Sequence, residues 1–216
     1  MRTRMTLVLL LAVGCATPEA VPPDPAAEPG APEAVAPAAV RPDPAHEARI
    51  QEVAQLKAQA TTLTAQGQTG PAITLLERAV RIDSDDPEAN GMLGSLLLQT
   101  GRYPLAALSF ERVLELTPED PRVYVGLGTA YVKMGRFKEA KAPLIKALEY
   151  YPDDANLMAQ LGHTAYATKD YELCARTMRR FLSALSRSDP AQRPETYQKD
   201  YQQALTFTEQ CESKAR

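Results

Sequence analysis

The sequence predicts an all-α fold, a solenoid of four stacked helix-turn-helix units followed by one further capping helix. Three observations predict it. Gly94, Gly128 and Gly162 stand at equal intervals, each preceded by a leucine: Leu93, Leu127 and Leu161. Aromatic residues recur nine positions after each glycine (Tyr103, Phe137, Tyr171), and small ones twelve positions after (Ala106, Ala140, Cys174). Turn prolines, Pro118 and Pro152, close two of the units in the same frame. The step from 94 to 128 to 162 is the length of a helical hairpin, and such a period marks stacked hairpins, because one hairpin cannot bury its apolar face alone.

The units are expected at 53–86, 87–120, 121–154 and 155–188, within a folded region starting near residue 45 and ending in a cap and tail at 189–216. The first is the weakest copy, keeping Leu56, Ala60, Leu63, Gly67, Ala72, Leu76 and Ala79 before the turn Asp83-Ser84-Asp85-Asp86-Pro87. Its first helix should run from Pro44 to about Gln66, with Ile50, Val53, Leu56, Ala60 and Leu63 on one face. Its second helix should start near Pro71, as the matching helix of the next unit starts at Pro104; proline suits a first turn, where the missing N–H has no helical partner to lose. Pro143 falls inside the helix that begins near Phe137, removes one backbone hydrogen bond and should bend it. Three departures fall in the end units, where one face meets solvent or a cap. Thr69 replaces the first aromatic, Lys169 stands where Gly101 and Gly135 make the inter-helix turn, and Ser186 stands where a proline is expected. After Asp189–Pro194, a last helix from about Glu195 to Ser213 carries Tyr197, Tyr201, Ala204, Leu205, Thr208 and Cys211 at helical spacing, and would cover the open edge of the fourth unit.

These columns resemble those of the tetratricopeptide repeat family over most of residues 53–188. The resemblance implies a right-handed superhelix whose concave groove is lined by the first helix of every unit. The matching positions are Lys57, Thr61 and Thr64; Gly91, Ser95 and Leu98; Val125, Thr129 and Val132; and Ala159, His163 and Ala167. Most are small and neutral, so charge is expected to be scarce in a smooth channel that suits an extended peptide or another helix. His163 reads as an ordinary solvated or packed histidine ahead of a pH-sensitive contact. The Lys-Asn-Arg clamp by which chaperone-binding members hold a C-terminal carboxylate is excluded, since Met92 and Gly126 stand where polar donors are required.

The amino terminus carries a second message. A basic run, Met1–Arg4, precedes nine residues, Met5–Val13, that are almost all apolar, and Gly14-Cys15 follows. As a helix this stretch measures roughly 14 Å against ~30 Å of bilayer hydrocarbon, too short for a membrane span. The pattern is that of a signal peptide, and Ala12-Val13-Gly14-Cys15 resembles the lipobox of bacterial lipoproteins. That resemblance implies removal of residues 1–14 and acylation of Cys15, with ordinary cleavage further on as the alternative. Residues 16–44 hold nine of the chain's eighteen prolines and no aromatic residue. Such a segment cannot bury enough surface to offset its ordering entropy, so it reads as an extended tether reaching on the order of 90 Å. Its acidic balance leaves membrane attachment to acyl chains.

Loss of Arg2 and Arg4 with the signal takes the formal charge from −3 to −5, which argues against a nucleic-acid partner. Arg176, Arg179 and Arg180 read as a solvated helix face. The two histidines, His46 and His163, assemble neither a metal site nor a catalytic triad. Asp83–Asp86 lacks the glycine and distal glutamate of a calcium loop and reads as a turn and helix cap. No enzyme activity, cofactor or metal is expected. With Cys15 assigned to lipid, Cys174 and Cys211 both fall on inward stripes. A bridge between them is one reading and two buried free thiols the other, since rough antiparallel pairing sets Cys174 opposite a residue near 205.

The expected function is a lipid-anchored adaptor on the periplasmic face of a Gram-negative outer membrane, binding protein partners in its groove to assemble or position an envelope machine. In plan it is similar to the pilotin lipoproteins of type IV pilus systems. The alternative is a regulatory activator of a peptidoglycan synthase or hydrolase. A sugar-polymer carrier is disfavoured, because Tyr103, Tyr124, Tyr131 and Phe137 fall mainly on packing positions.

Overall fold

The computed structural model describes residues 43–187 and 195–216, and at 187 and within 195–200 the backbone alone. The signal peptide, Cys15, the tether through residue 42, the 189–194 connection and the side chain of Tyr197 lie outside the described residues. Among the described residues the regular structure is helical throughout: α1 (Pro44–Ala65), α2 (Thr69–Ile82), α3 (Pro87–Gln99), α4 (Tyr103–Leu116), α5 (Pro121–Lys133), α6 (Phe137–Tyr150), α7 (Ala155–Ala167), α8 (Tyr171–Arg187) and α9 (Glu195–Ala215). No helix among them is long and apolar enough to cross a membrane.

The first helices of the four units start alike because each is capped by an aspartate. Asp43, Asp86, Asp120 and Asp154 accept hydrogen bonds from the backbone N–H of Ala45 (3.0 Å), Ala89 (2.9 Å), Arg122 (3.0 Å) and Leu157 (3.0 Å), satisfying donors that have no partner inside the helix. Each of α1, α3, α5 and α7 ends in a residue with left-handed backbone: Gly67 (φ 74°), Gly101 (77°), Gly135 (72°) and Lys169 (62°). The following N–H then reaches five residues back, Gln68 to Leu63, Arg102 to Leu97, Arg136 to Tyr131 and Asp170 to Ala165, at 2.8–2.9 Å, which closes the helix and reverses the chain.

α2 begins at Thr69, two residues before the expected Pro71. Pro143 lies inside α6, which runs from Phe137 to Tyr150. α8 extends to Arg187, 17 residues against 14 in α4 and α6, because Ser186 replaces the proline that stops the other two.

Consecutive helices pack antiparallel along the chain order, and the glycine ladder is where the hairpins close. A β-carbon at Gly94 would come within 2.8 Å of the Phe110 ring, one at Gly128 within 2.8 Å of Leu144, and one at Gly162 within 2.3 Å of the Met178 sulfur. Each glycine thus admits the plug that stands at the same offset in the second helix of its own unit; in the first unit Ala60 and Leu76 hold these two columns, both fully buried. Phe110 is held on both sides, since a β-carbon at Gly126 of the next unit would meet the same ring at 2.4 Å. One core runs from Ala60 to Cys211, with a satellite of Val53, Leu56, Ala79 and Ala89 at the amino-terminal end. Tyr131 joins α5 to α4 by donating its hydroxyl to Glu111; burial, and then that bond, push its phenol up to about 12.

Candidate functional site

The concave face carries two hollows. The first, about 960 Å³, is walled by Thr61, Thr64 and Ala65 of α1 and by Gly91, Met92, Ser95 and Leu96 of α3, with Phe110 of α4 and Val123 of α5 between them. The second, about 760 Å³, lies between Ala159 and His163 of α7, Met178 and Phe181 of α8, and Gln203, Phe207 and Gln210 of α9. Small residues, Ala65 and Gly91 in the first hollow and Ala159 in the second, stand among these walls.

Of the residues expected to line the groove, Thr61, Thr64, Gly91 and Ser95 meet in the first hollow and Ala159 and His163 in the second. Leu98, Val125 and Val132 are half-buried against the core and wall neither hollow, and Thr129 is half-buried between the two groups. Ala167 is exposed at the end of α7. Lys57 is not free: its ammonium donates to Asp86 at 2.7 Å and Glu88 at 2.6 Å. Burial opposes its charge, but those two carboxylates outweigh it and hold the amine above its ordinary range.

The expectation that charge is scarce in the groove is corrected. Glu88, Asp120 and Arg122 also border the first hollow. Arg122 forms a two-pronged contact with its own cap residue, Nη2 to Oδ2 at 3.0 Å and Nε to Oδ1 at 3.2 Å, with its side chain 84% exposed. That hydrogen-bonded guanidinium is the main reason the Asp120 carboxyl lies below its usual range. The lining positions sit along helix faces, whereas these charges enter from helix N-termini, one turn outside the columns.

Two aromatic residues escape a reading by groove columns. Phe110 walls the first hollow, and its signal is its place in the buried column of Leu76, Leu144 and Met178. Phe207 stacks on His163 with ring centroids 4.6 Å apart and lies 5.1 Å from Tyr166, so His163 is an exposed ring with one face against Phe207. Its signal is a position three residues after Ala204 and four before Cys211, on the flank of the inward stripe.

Cys174 and Cys211 are paired as a disulfide, Cα–Cα 5.8 Å, and both are fully buried. The register differs from the rough estimate: Cys174 faces 211, six residues beyond 205, because the extra length of α8 carries α9 further along it. Cys174 fits where Ala106 and Ala140 are likewise fully buried. The arginines of α8, Arg176, Arg179 and Arg180, are exposed, and two of them make surface contacts. Arg180 donates to the carbonyl of Pro152 at 2.8 Å, and Arg179 pairs with Glu212 of α9 at 3.3 Å. Among the described residues no group of three or more His, Cys, Asp or Glu side chains is placed to hold a metal ion.

Two models described as tetratricopeptide repeat match the sequence, at residues 57–121 and 101–157. Solved structures of the same fold include MamA (residues 41 to the end) from Desulfovibrio magneticus RS-1, with 20% identity, a TM-score of 0.59, and coverage of 76% of this chain and 96% of that one. A further MamA structure gives 21% identity and a TM-score of 0.57 over 65% of this chain and 82% of that one. YrrB, described as a TPR protein with an unusual peptide-binding site, gives 19% and 0.59 over 79% and 90%. No curated protein matches the sequence. The molecule is an all-α tetratricopeptide-repeat solenoid. Such repeats generally mediate protein–protein interaction and scaffolding.

Proposed function

We propose that this chain is a lipid-anchored periplasmic adaptor. Its repeats bind an extended segment or helix of a protein partner along the concave face, and acylated Cys15 ties it to the outer membrane. There it assembles or positions an envelope machine of the pilus or secretin kind. The observation that supports this reading best is the first hollow, whose floor is apolar (Met92, Phe110, Val123) and whose walls are small. The hydroxyls of Thr61, Thr64 and Ser95 donate to the carbonyls of Lys57, Ala60 and Gly91 at 2.9, 2.8 and 2.9 Å. Their remaining lone pairs face outward as acceptors, which suits the free N–H groups of an extended peptide.

Gly91 allows a selective test, since a β-carbon there has its nearest neighbour, Val113, at 4.0 Å and disturbs nothing. A photocrosslinker at Thr129 should capture a partner from membranes, and Gly91→Glu should abolish that capture while leaving the helical content intact. If the Gly91→Glu chain keeps every crosslinked partner, the groove reading fails. Cys15→Ala should release the protein from the membrane fraction, a check on the anchor that is independent of the groove.

A further inference from the structure

The helix that walls the second hollow has a weak apolar hold on the array. The odd helices before it bury large side chains: Leu93, Leu96 and Leu97 in α3, Leu127 and Tyr131 in α5, Leu157, Met158 and Leu161 in α7. In α9, residues 201–215 bury only Ala204, Thr208 and Cys211. Phe207 adds a half-buried ring beside His163 and Tyr166, and exposed polar ties also join α9 to the array, among them Lys214 to the Tyr166 hydroxyl at 2.8 Å and Arg179 to Glu212 at 3.3 Å. Small and polar groups give little transfer free energy when buried, and exposed ion pairs add little more. The covalent bond between α8 and α9 sits among these small buried side chains.

We propose that the Cys174–Cys211 bond is a latch that docks α9, closed by exchange during folding and sealed afterwards. The second hollow then exists only in a chain matured under oxidising conditions. The step needs an oxidant of the dithiol–disulfide class. One cysteine thiolate attacks the oxidant's disulfide, giving a mixed disulfide and releasing one oxidant thiolate. The other cysteine thiolate then displaces the second oxidant sulfur. The S–S bond forms, two protons leave the cysteines, and the two electrons end on the oxidant as its dithiol. Both sulfurs are fully buried once α9 is docked, so exchange takes place while α9 is still undocked, and the closed bond is then shielded from reductants. The latch acts once per molecule and is independent of what the groove accepts.

Cys174→Ala removes the bond with little packing cost, because Ala106 and Ala140 fill the same column in the neighbouring units. Hydrogen exchange followed by peptide mass analysis, on the full chain refolded with a disulfide donor, reads each helix separately. In the variant, exchange over 204–215 should rise about a hundredfold, toward the low end of what closing a loop of this size is worth. Peptides of α1 to α7 should keep their wild-type protection. Alkylation of unreduced, denatured wild-type chain should leave Cys174 and Cys211 unlabelled. Three results would overturn the proposal: alkylation of both cysteines without reductant, α9 exchange within about threefold of wild type in the variant, or loss of protection across all the helices together. The last would make the bond a requirement of the whole fold and not a latch for one helix.

Discussion

Lys169 occupies a position that three glycines hold elsewhere in the chain. Its φ of 62° sets a β-carbon in left-handed backbone, which costs roughly 1–2 kcal/mol for an L-residue. Glycine relieves that strain but gives the unfolded chain more freedom. Lys169→Gly should therefore stabilise the fold by about 0.5–1 kcal/mol, read as a rise in the thermal midpoint. Gly126 behaves in the opposite way. Helix propensity alone favours Gly126→Ala by up to about 1 kcal/mol, yet the new methyl would lie 2.4 Å from the Phe110 ring. The ring is rigid and buried against Gly94 on its other side, so overpacking of about 1–3 kcal/mol should win. Denaturant unfolding of the variant should show a net loss of stability. The partner of Gly126 is not legible in the repeat columns, because the plug belongs to the second helix of the preceding unit.

At the level of the element, the cap residues Asp86 and Asp120, whose carboxyls lie below their ordinary value, make the array acid-sensitive. In Asp86, burial favours the protonated form, but the hydrogen bonds from Lys57 and from the N–H of Ala89 prevail, and the carboxyl lies below its ordinary value of 3.8. A carboxylate depressed in the folded state contributes stability that is present above about pH 4 and is lost as pH falls through the folded value. Thermal midpoints measured from pH 7 downward should drop below about pH 4. Asp86→Asn, which keeps a capping side chain, should cost about 1 kcal/mol at neutral pH and flatten that drop. Three of the caps, Asp86, Asp120 and Asp154, are legible in sequence as aspartates at a fixed period, and Asp43 lies outside that period; all but Asp154 are followed directly by proline. The register of α9 is not, since no repeat column extends beyond Arg187 and the pairing depends on how far α8 runs.

For the molecule as a whole, periodicity makes the architecture legible: helix order, turn positions and the buried columns follow from one spacing. The chemistry of the groove is less so. Thr61, Gly91 and Ser95 do share a hollow, but the charges beside them come from helix N-termini, and Lys57 is neutralised by a helix from the next unit. A column describes what recurs, and a working surface is made from what differs between copies.

The ring of Phe110 between two glycines sets a limit on how such a chain can change length. The positions equivalent to Gly126 at the neighbouring junctions are Met92 and Gln160. Excising residues 121–154 would keep the helical phase yet present Gln160 to Phe110, where no side chain fits. Excising 87–120 would present Gly126 to Leu76 and leave a void. The units share a period but not their joints, so the array cannot be shortened or shuffled unit by unit without a compensating change at the seam.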